Sequence, residues 1–214
     1  MANRSTSGFG LRMAMRLGNT PAIGGQSKYA IKSGLGVGIF KGNPASIQLA
    51  GDTGYIQDSA FSTTDDGNDG GIDFTTANDA LLVGVHNGVF FIDGTTSKPT
   101  FANSVAASAT FGTNPNTNST DGVAFVNDDP DQEYVVKADA AVGQAIFGLC
   151  GNINDFAAGD AKDGASTATF DSGTQAETKM FRIVRSAEDP DNEDLTAAGA
   201  NIIVVINAAA NTYR

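Results

Sequence analysis

Several residue types are scarce in this chain of 214 residues, and each scarcity closes off some chemistry. A single cysteine, Cys150, excludes any disulfide framework within the chain. With a single histidine, His86, a Cys/His zinc site within one chain is close to excluded. Any Cys–His nucleophilic pair would have to use Cys150 and His86. There is no tryptophan and there are four tyrosines, which argues against a sugar-stacking cleft. No apolar run approaches the ~18 residues that a membrane-spanning helix needs, so no membrane partner is expected. The opening residues lack the apolar core of a secretory signal.

Acidic residues are missing from one region. Residues 1–51 carry six cations (Arg4, Arg12, Arg16, Lys28, Lys32 and Lys41) and no Asp or Glu. The whole chain has 13 basic and 24 acidic residues, so residues 52–214 hold seven basic and all 24 acidic ones, a net charge of −17. A body of that sign is a poor partner for nucleic acid, because phosphate binding needs a basic face. The basic N-terminal segment is expected to meet something acidic: a neighbouring protein, or another copy of the same body.

What is plentiful is glycine, with 26 positions, together with Asn, Asp, Ser and Thr, and these punctuate short apolar runs. That pattern predicts strands and turns. Strands are expected at 29–32, 37–40, 46–50, 54–57, 80–85, 89–92, 100–102, 123–126, 133–137, 144–150, 167–170, 179–185 and 201–206. Val85-His86-Asn87-Gly88-Val89 reads as a tight hairpin with an exposed His86, since Asn-Gly supplies positive φ. Residues 202–207 form a β-branched run that reads as a strand buried on both faces. The fold class expected is all-β: an antiparallel β-sandwich or β-barrel with long surface loops (62–79 and 108–121) and an extended N-terminal arm. The arm is residues 1–26, ordered by contact and not by a core of its own, with room for two helical turns at 11–17; the all-β body is residues 27–214.

One internal echo stands out. Asp129-Pro130-Asp131-Gln132-Glu133 returns 60 residues later as Asp189-Pro190-Asp191-Asn192-Glu193. Asp can bond its own backbone two residues on and Pro fixes the next φ, so both read as acidic turns between strands. Clustered carboxylates also suit Ca²⁺, but neither copy has the alternating spacing of an EF-hand loop, and no metal or other cofactor is expected.

Catalytic motifs are weak. Asp52-Thr53-Gly54 and Asp171-Ser172-Gly173 echo the two loops of an aspartic protease. Gly51, however, stands where a buried apolar residue should support the first loop, and both triplets read more simply as turns. No Gly-x-Ser-x-Gly elbow accompanies His86. Cys150 reads as a small core residue. The glycine-rich run at 34–42 fits neither phosphate-loop spacing. A hydrolase using paired carboxylates is a remote reading, kept because 24 acids allow many pairings.

Three stretches carry a family likeness: Ser7-Gly8-Phe9-Gly10-Leu11-Arg12; Ala124-Phe125-Val126-Asn127-Asp128-Asp129-Pro130-Asp131; and, at the end, Phe181-Arg182-Ile183-Val184-Arg185, Asp189-Pro190-Asp191-Asn192-Glu193 and Ile203-Val204-Val205-Ile206-Asn207. In this order they resemble a family of tailed-bacteriophage virion proteins that decorate or cement the capsid. Met13 departs from that pattern, which has Pro after the Leu-Arg pair, and so does the long loop at 62–79. The resemblance implies a non-enzymatic protein on the outer surface of the capsid. Its partners would be the major capsid protein and copies of itself, with a homotrimer expected by analogy. The contact residues expected in the arm are Phe9, Leu11, Met13 and Met15 for apolar contact and Arg12 and Arg16 for carboxylates. The alternative within the class is a head-fibre, tail or host-adhesion component.

Overall fold

In a computed structural model the described residues are 3–47, 54–58, 82–154, 159–173, 175, 177 and 179–213. The expected loop at 62–79 and the Asp52-Thr53 pair lie outside them. In chain order the strands are β1 (Arg12–Arg16), β2 (Thr20–Pro21), β3 (Ser27–Ile31), β4 (Ile39–Phe40), β5 (Pro44–Ile47) and β6 (Ile56–Asp58). Then come β7 (Leu82–Ile92), β8 (Pro99–Ala102), β9 (Ser104–Val105), β10 (Gly122–Asn127) and β11 (Gln132–Lys137). The last are β12 (Cys150–Gly151), β13 (Ile153–Asn154), β14 (Thr169–Phe170), β15 (Phe181–Ser186) and β16 (Asn201–Ile206). The only helical pieces among the described residues are two 3-10 turns, Gln144–Ile146 and Ala208–Ala210. The protein is all-β.

Two six-stranded antiparallel sheets carry the architecture. The first runs β12-β15-β16-β11-β1-β2; the second runs β3-β10-β7-β5-β6, with β8 also on β7. Two hydrophobic cores follow from them. Tyr134, Val136, Phe181, Ile183, Ile202, Val204 and Ile206 point from the first sheet into one core. Ile31, Ala45, Val83, Val89, Ala124 and Val126 fill the other. Strand β7 serves both, because Leu82 and Val85 enter the first core while Val83 enters the second. This explains its unbroken apolar run: both faces of that half-strand are covered. The all-buried β16 follows the same rule, with Ile203 and Val205 lying in register with Arg185 and Arg182 on its other face.

The hairpin expected at His86-Asn87-Gly88 does not form. β10 pairs with β7 on both sides of that point, with Phe125 opposite Gly88 and Val126 opposite His86, so Asn87 is the extra residue of a β-bulge. Gly88 has φ 144°, and it bends a continuous strand there without reversing it. His86 is therefore 2 % exposed and not a surface residue. The strand expected over 144–150 also differs. Its first part curls into the 3-10 turn, closed by Phe147 N–H donating to the Gln144 carbonyl, and the strand pairing with β15 is confined to Cys150–Gly151, preceded by the Gly148 N–H on the Ile183 carbonyl.

The N-terminal segment is extended and held by contact. The contacts described are with its own body. Residues 12–16 form a strand, not helical turns, because β11 offers them a backbone edge: Arg12 pairs with Val135 and Met13 with Tyr134. Just before that, the Gly10 N–H donates to the Ala168 carbonyl and the Leu11 N–H to the Gly42 carbonyl. Gly8 lies so close to the Thr167 carbonyl that a Cβ there would overlap it.

Candidate interaction surface

The acidic echo is a pair of clasps for this segment. In each copy the first Asp accepts the backbone N–H two residues on, Asp131 N–H onto Asp129 Oδ1 and Asp191 N–H onto Asp189 Oδ1, both at 3.0 Å. A turn closes from the fourth residue to the first, Gln132 N–H to the Asp129 carbonyl and Asn192 N–H to the Asp189 carbonyl. These are the turns the Asp-Pro-Asp sequence predicts. The third residue then presents its carbonyl outward. Asp131 O accepts the Leu17 N–H (2.8 Å), and Asp191 O accepts the Arg4 N–H (3.0 Å).

Side chains repeat the grip. The Arg16 guanidinium lies 2.6 Å from Asp129 Oδ2 and 3.5 Å from Asp131 Oδ2. Arg4 lies 2.9 Å from Asp191 Oδ2. The fourth residue of each copy is a buried amide on the segment's backbone: Gln132 Nε2 donates to Met15 O, and Asn192 Oδ1 accepts from Ser5 N–H. Part of the N-terminal charge excess is thus matched within the chain. Among the described residues no group of three or more His, Cys, Asp or Glu is placed to hold a metal.

The second clasp has an additional post. Lys137, on β11, is 3 % exposed and donates to Ser5 O (2.9 Å), Gly199 O (3.2 Å) and Asn192 Oδ1 (3.3 Å). Three donors meet three acceptors, so the ammonium is satisfied by neutral oxygens. Desolvation pushes its pKa below the ordinary lysine value; Asp189 opposes the shift and Arg12 adds to it. The Phe9 ring lies 5.6 Å from Lys137 Nζ and 4.2 Å from the Arg12 guanidinium carbon.

The six contact residues expected in the arm fall into different places. Leu11 is 3 % exposed and belongs to the first core, so it is not available to a partner. Arg16 is engaged in the first clasp. Phe9 is half-buried, with Arg12 and Lys137 both near its ring. Arg12 is exposed and forms no ion pair among the described residues. Met13 and Met15 are 39 % and 44 % exposed. Four of the six (Phe9, Leu11, Arg12 and Met13) line one cleft of about 430 Å³, together with Lys41 and His86. Sequence reasoning missed Lys137, Gln132 and Asn192 as holders of the segment. The amide at the fourth place of both echo copies was the available signal.

Of the two Asp-Thr/Ser-Gly triplets, only Asp171-Ser172-Gly173 lies wholly among the described residues. Asp171 accepts the Gly173 N–H (2.8 Å) in a local turn, and Ser172 Oγ donates to Asp139 Oδ1 (2.6 Å). Cys150 is buried, and that burial pushes its thiol pKa up. No family model, no curated protein and no solved structure matches this chain.

Proposed function

We propose that this chain is a non-enzymatic structural protein of a tailed-bacteriophage particle. It binds the outside of the capsid and cements neighbouring major capsid subunits, together with copies of itself as a trimer. Besides the three-part sequence resemblance, one observation carries the reading. Of the seven large apolar side chains exposed among the described residues, four lie within residues 13–23: Met13 (39 %), Met15 (44 %), Leu17 (38 %) and Ile23 (79 %). An apolar strip on a basic segment of an acidic protein is the composition of a contact surface.

Because Leu11 is a core residue and β1 a sheet strand, deleting the segment would test folding and not binding. The test is the double substitution Met15→Asp and Leu17→Asp, read by co-sedimentation with capsids that lack the protein. The folded variant is expected to lose capsid binding, and unchanged binding would overturn the reading.

A second reading, a host-adhesion component of the virion, draws on the second sheet. There Phe101 is 74 % exposed, with its ring centroid 4.6 Å from Phe90 and 6.3 Å from Phe125. If that reading holds, Phe101→Ala removes binding to host cells and leaves capsid binding intact.

A further inference from the structure

The cleft beside the N-terminal segment is lined by two cations, Arg12 and Lys41, and by no Asp or Glu among the described residues. Arg12 and Lys41 are both exposed, and neither forms an ion pair among the described residues. Arg4, Arg16 and Arg185 all have carboxylate partners. Arg12 instead rests on the Phe9 ring, 4.2 Å from its centroid. Contact with a ring face holds a guanidinium in place and leaves its N–H edge free for a carboxylate. Buried Lys137 lies 5.6 Å from the centroid of the same ring and adds positive potential there. The cleft is lined by Phe9, Leu11 and Met13 together with His86 and its neighbours on β7, and has a volume of about 430 Å³. That volume falls in the ~300–1,000 Å³ range of built ligand sites.

We propose that this cleft binds an extended acidic segment of a neighbouring polypeptide, with carboxylates on Arg12 and Lys41 and apolar side chains against Phe9 and Met13. Charge complementarity selects this occupant. Two cations with apolar walls suit alternating acidic and apolar side chains. The inference rests on the reading above that this is a binding protein, and it names the chemistry of the partner.

The probe is a hexapeptide of alternating leucine and aspartate, blocked at both ends, titrated calorimetrically into the full chain. Binding is expected, and it weakens as salt is raised. Arg12→Gln and Lys41→Gln are each expected to weaken it about tenfold, the size of one lost charge-assisted contact. Arg12→Lys should restore part of the loss, and Lys28→Gln, away from the cleft, should change nothing. A peptide with asparagine for aspartate should not bind. Thermal unfolding of each variant checks that it is folded. Equal binding of the asparagine peptide, or undiminished binding by folded Arg12→Gln and Lys41→Gln, would overturn the proposal. So would self-association of the chain that the same two substitutions abolish, since the occupant would then be a second copy. Capsid binding is measured in parallel. If the Arg12/Lys41 double variant binds capsids normally while the Met15/Leu17 variant does not, the cleft proposal fails and the capsid reading stands.

Discussion

The two Asp-Pro-Asp clasps share a backbone design and differ in what their side chains bury. At the first, Arg16 meets Asp129 with side-chain exposures of 37 % and 15 %, and the closing Glu133 is 1 % exposed on its side chain, paired with Arg185 at 2.6 Å. At the second, Arg4 and Asp191 are 76 % and 59 % exposed, and Glu193 faces solvent. The second clasp holds through hydrogen bonds to neutral oxygens instead: Lys137 on three of them, and Asn3 Nδ2 on the carbonyls of Asp194 and Ala198, each at 2.9 Å. Identical turns can therefore anchor one segment by different physics. Ion pairs matter where they are shielded, and hydrogen bonds to backbone carry the load where the ion pair is open to water.

That contrast can be broken in order of size. The largest effect is expected from Arg185→Ala, which leaves the Glu133 carboxylate buried without its cation. Such a loss costs about 3–5 kcal/mol, discounted here because Arg185 is itself partly exposed, and chemical denaturation would read it. Its counterpart, Glu193→Gln, should stay within about 0.5 kcal/mol.

Next comes Lys137→Met, expected to cost about 1–3 kcal/mol by leaving three oxygens without their donor. Hydrogen exchange should locate the loosening at residues 3–8. The same variant has a pH signature. The folded-state pKa of Lys137 lies below its unfolded value, so in the window between them the unfolded chain binds more protons and stability rises with pH. The difference in stability between wild type and Lys137→Met should grow across that window as pH increases, and a flat difference would contradict the assigned burial.

Smaller again is Arg16→Ala, at about 1 kcal/mol for a half-shielded pair with two carboxylates. Smallest is Arg4→Ala, expected at or below the ~0–1 kcal/mol of an open surface pair. A larger loss for Arg4 than for Arg16 would reverse the comparison.

Much of this was legible beforehand. Short apolar runs between turn residues placed β10, β11, β15 and β16 within a residue or two, and the Asp-Pro-Asp turns took the form that Asp and Pro chemistry dictates. His86-Asn87-Gly88 was misread because Asn-Gly permits both a hairpin and a bulge. The choice fell to β10, whose edge continues past the glycine and rewards a continuous strand. Residues 11–17 were ambiguous for the same reason: seven residues between glycines show no decisive period until β11 supplies a hydrogen-bonding edge.

By itself, then, the chain's order of residues determined the all-β class, most strand positions, the local geometry of both acidic turns and the charge imbalance between its two ends. Those properties depend on neighbours a few positions apart. Only the tertiary structure decided where the N-terminal cations go. Arg4 and Arg16 reach carboxylates 187 and 113 residues away, while Arg12 stays on a phenylalanine ring. Contacts across such separations are settled by the sum of sheet pairing and core packing, and no local pattern encodes that sum.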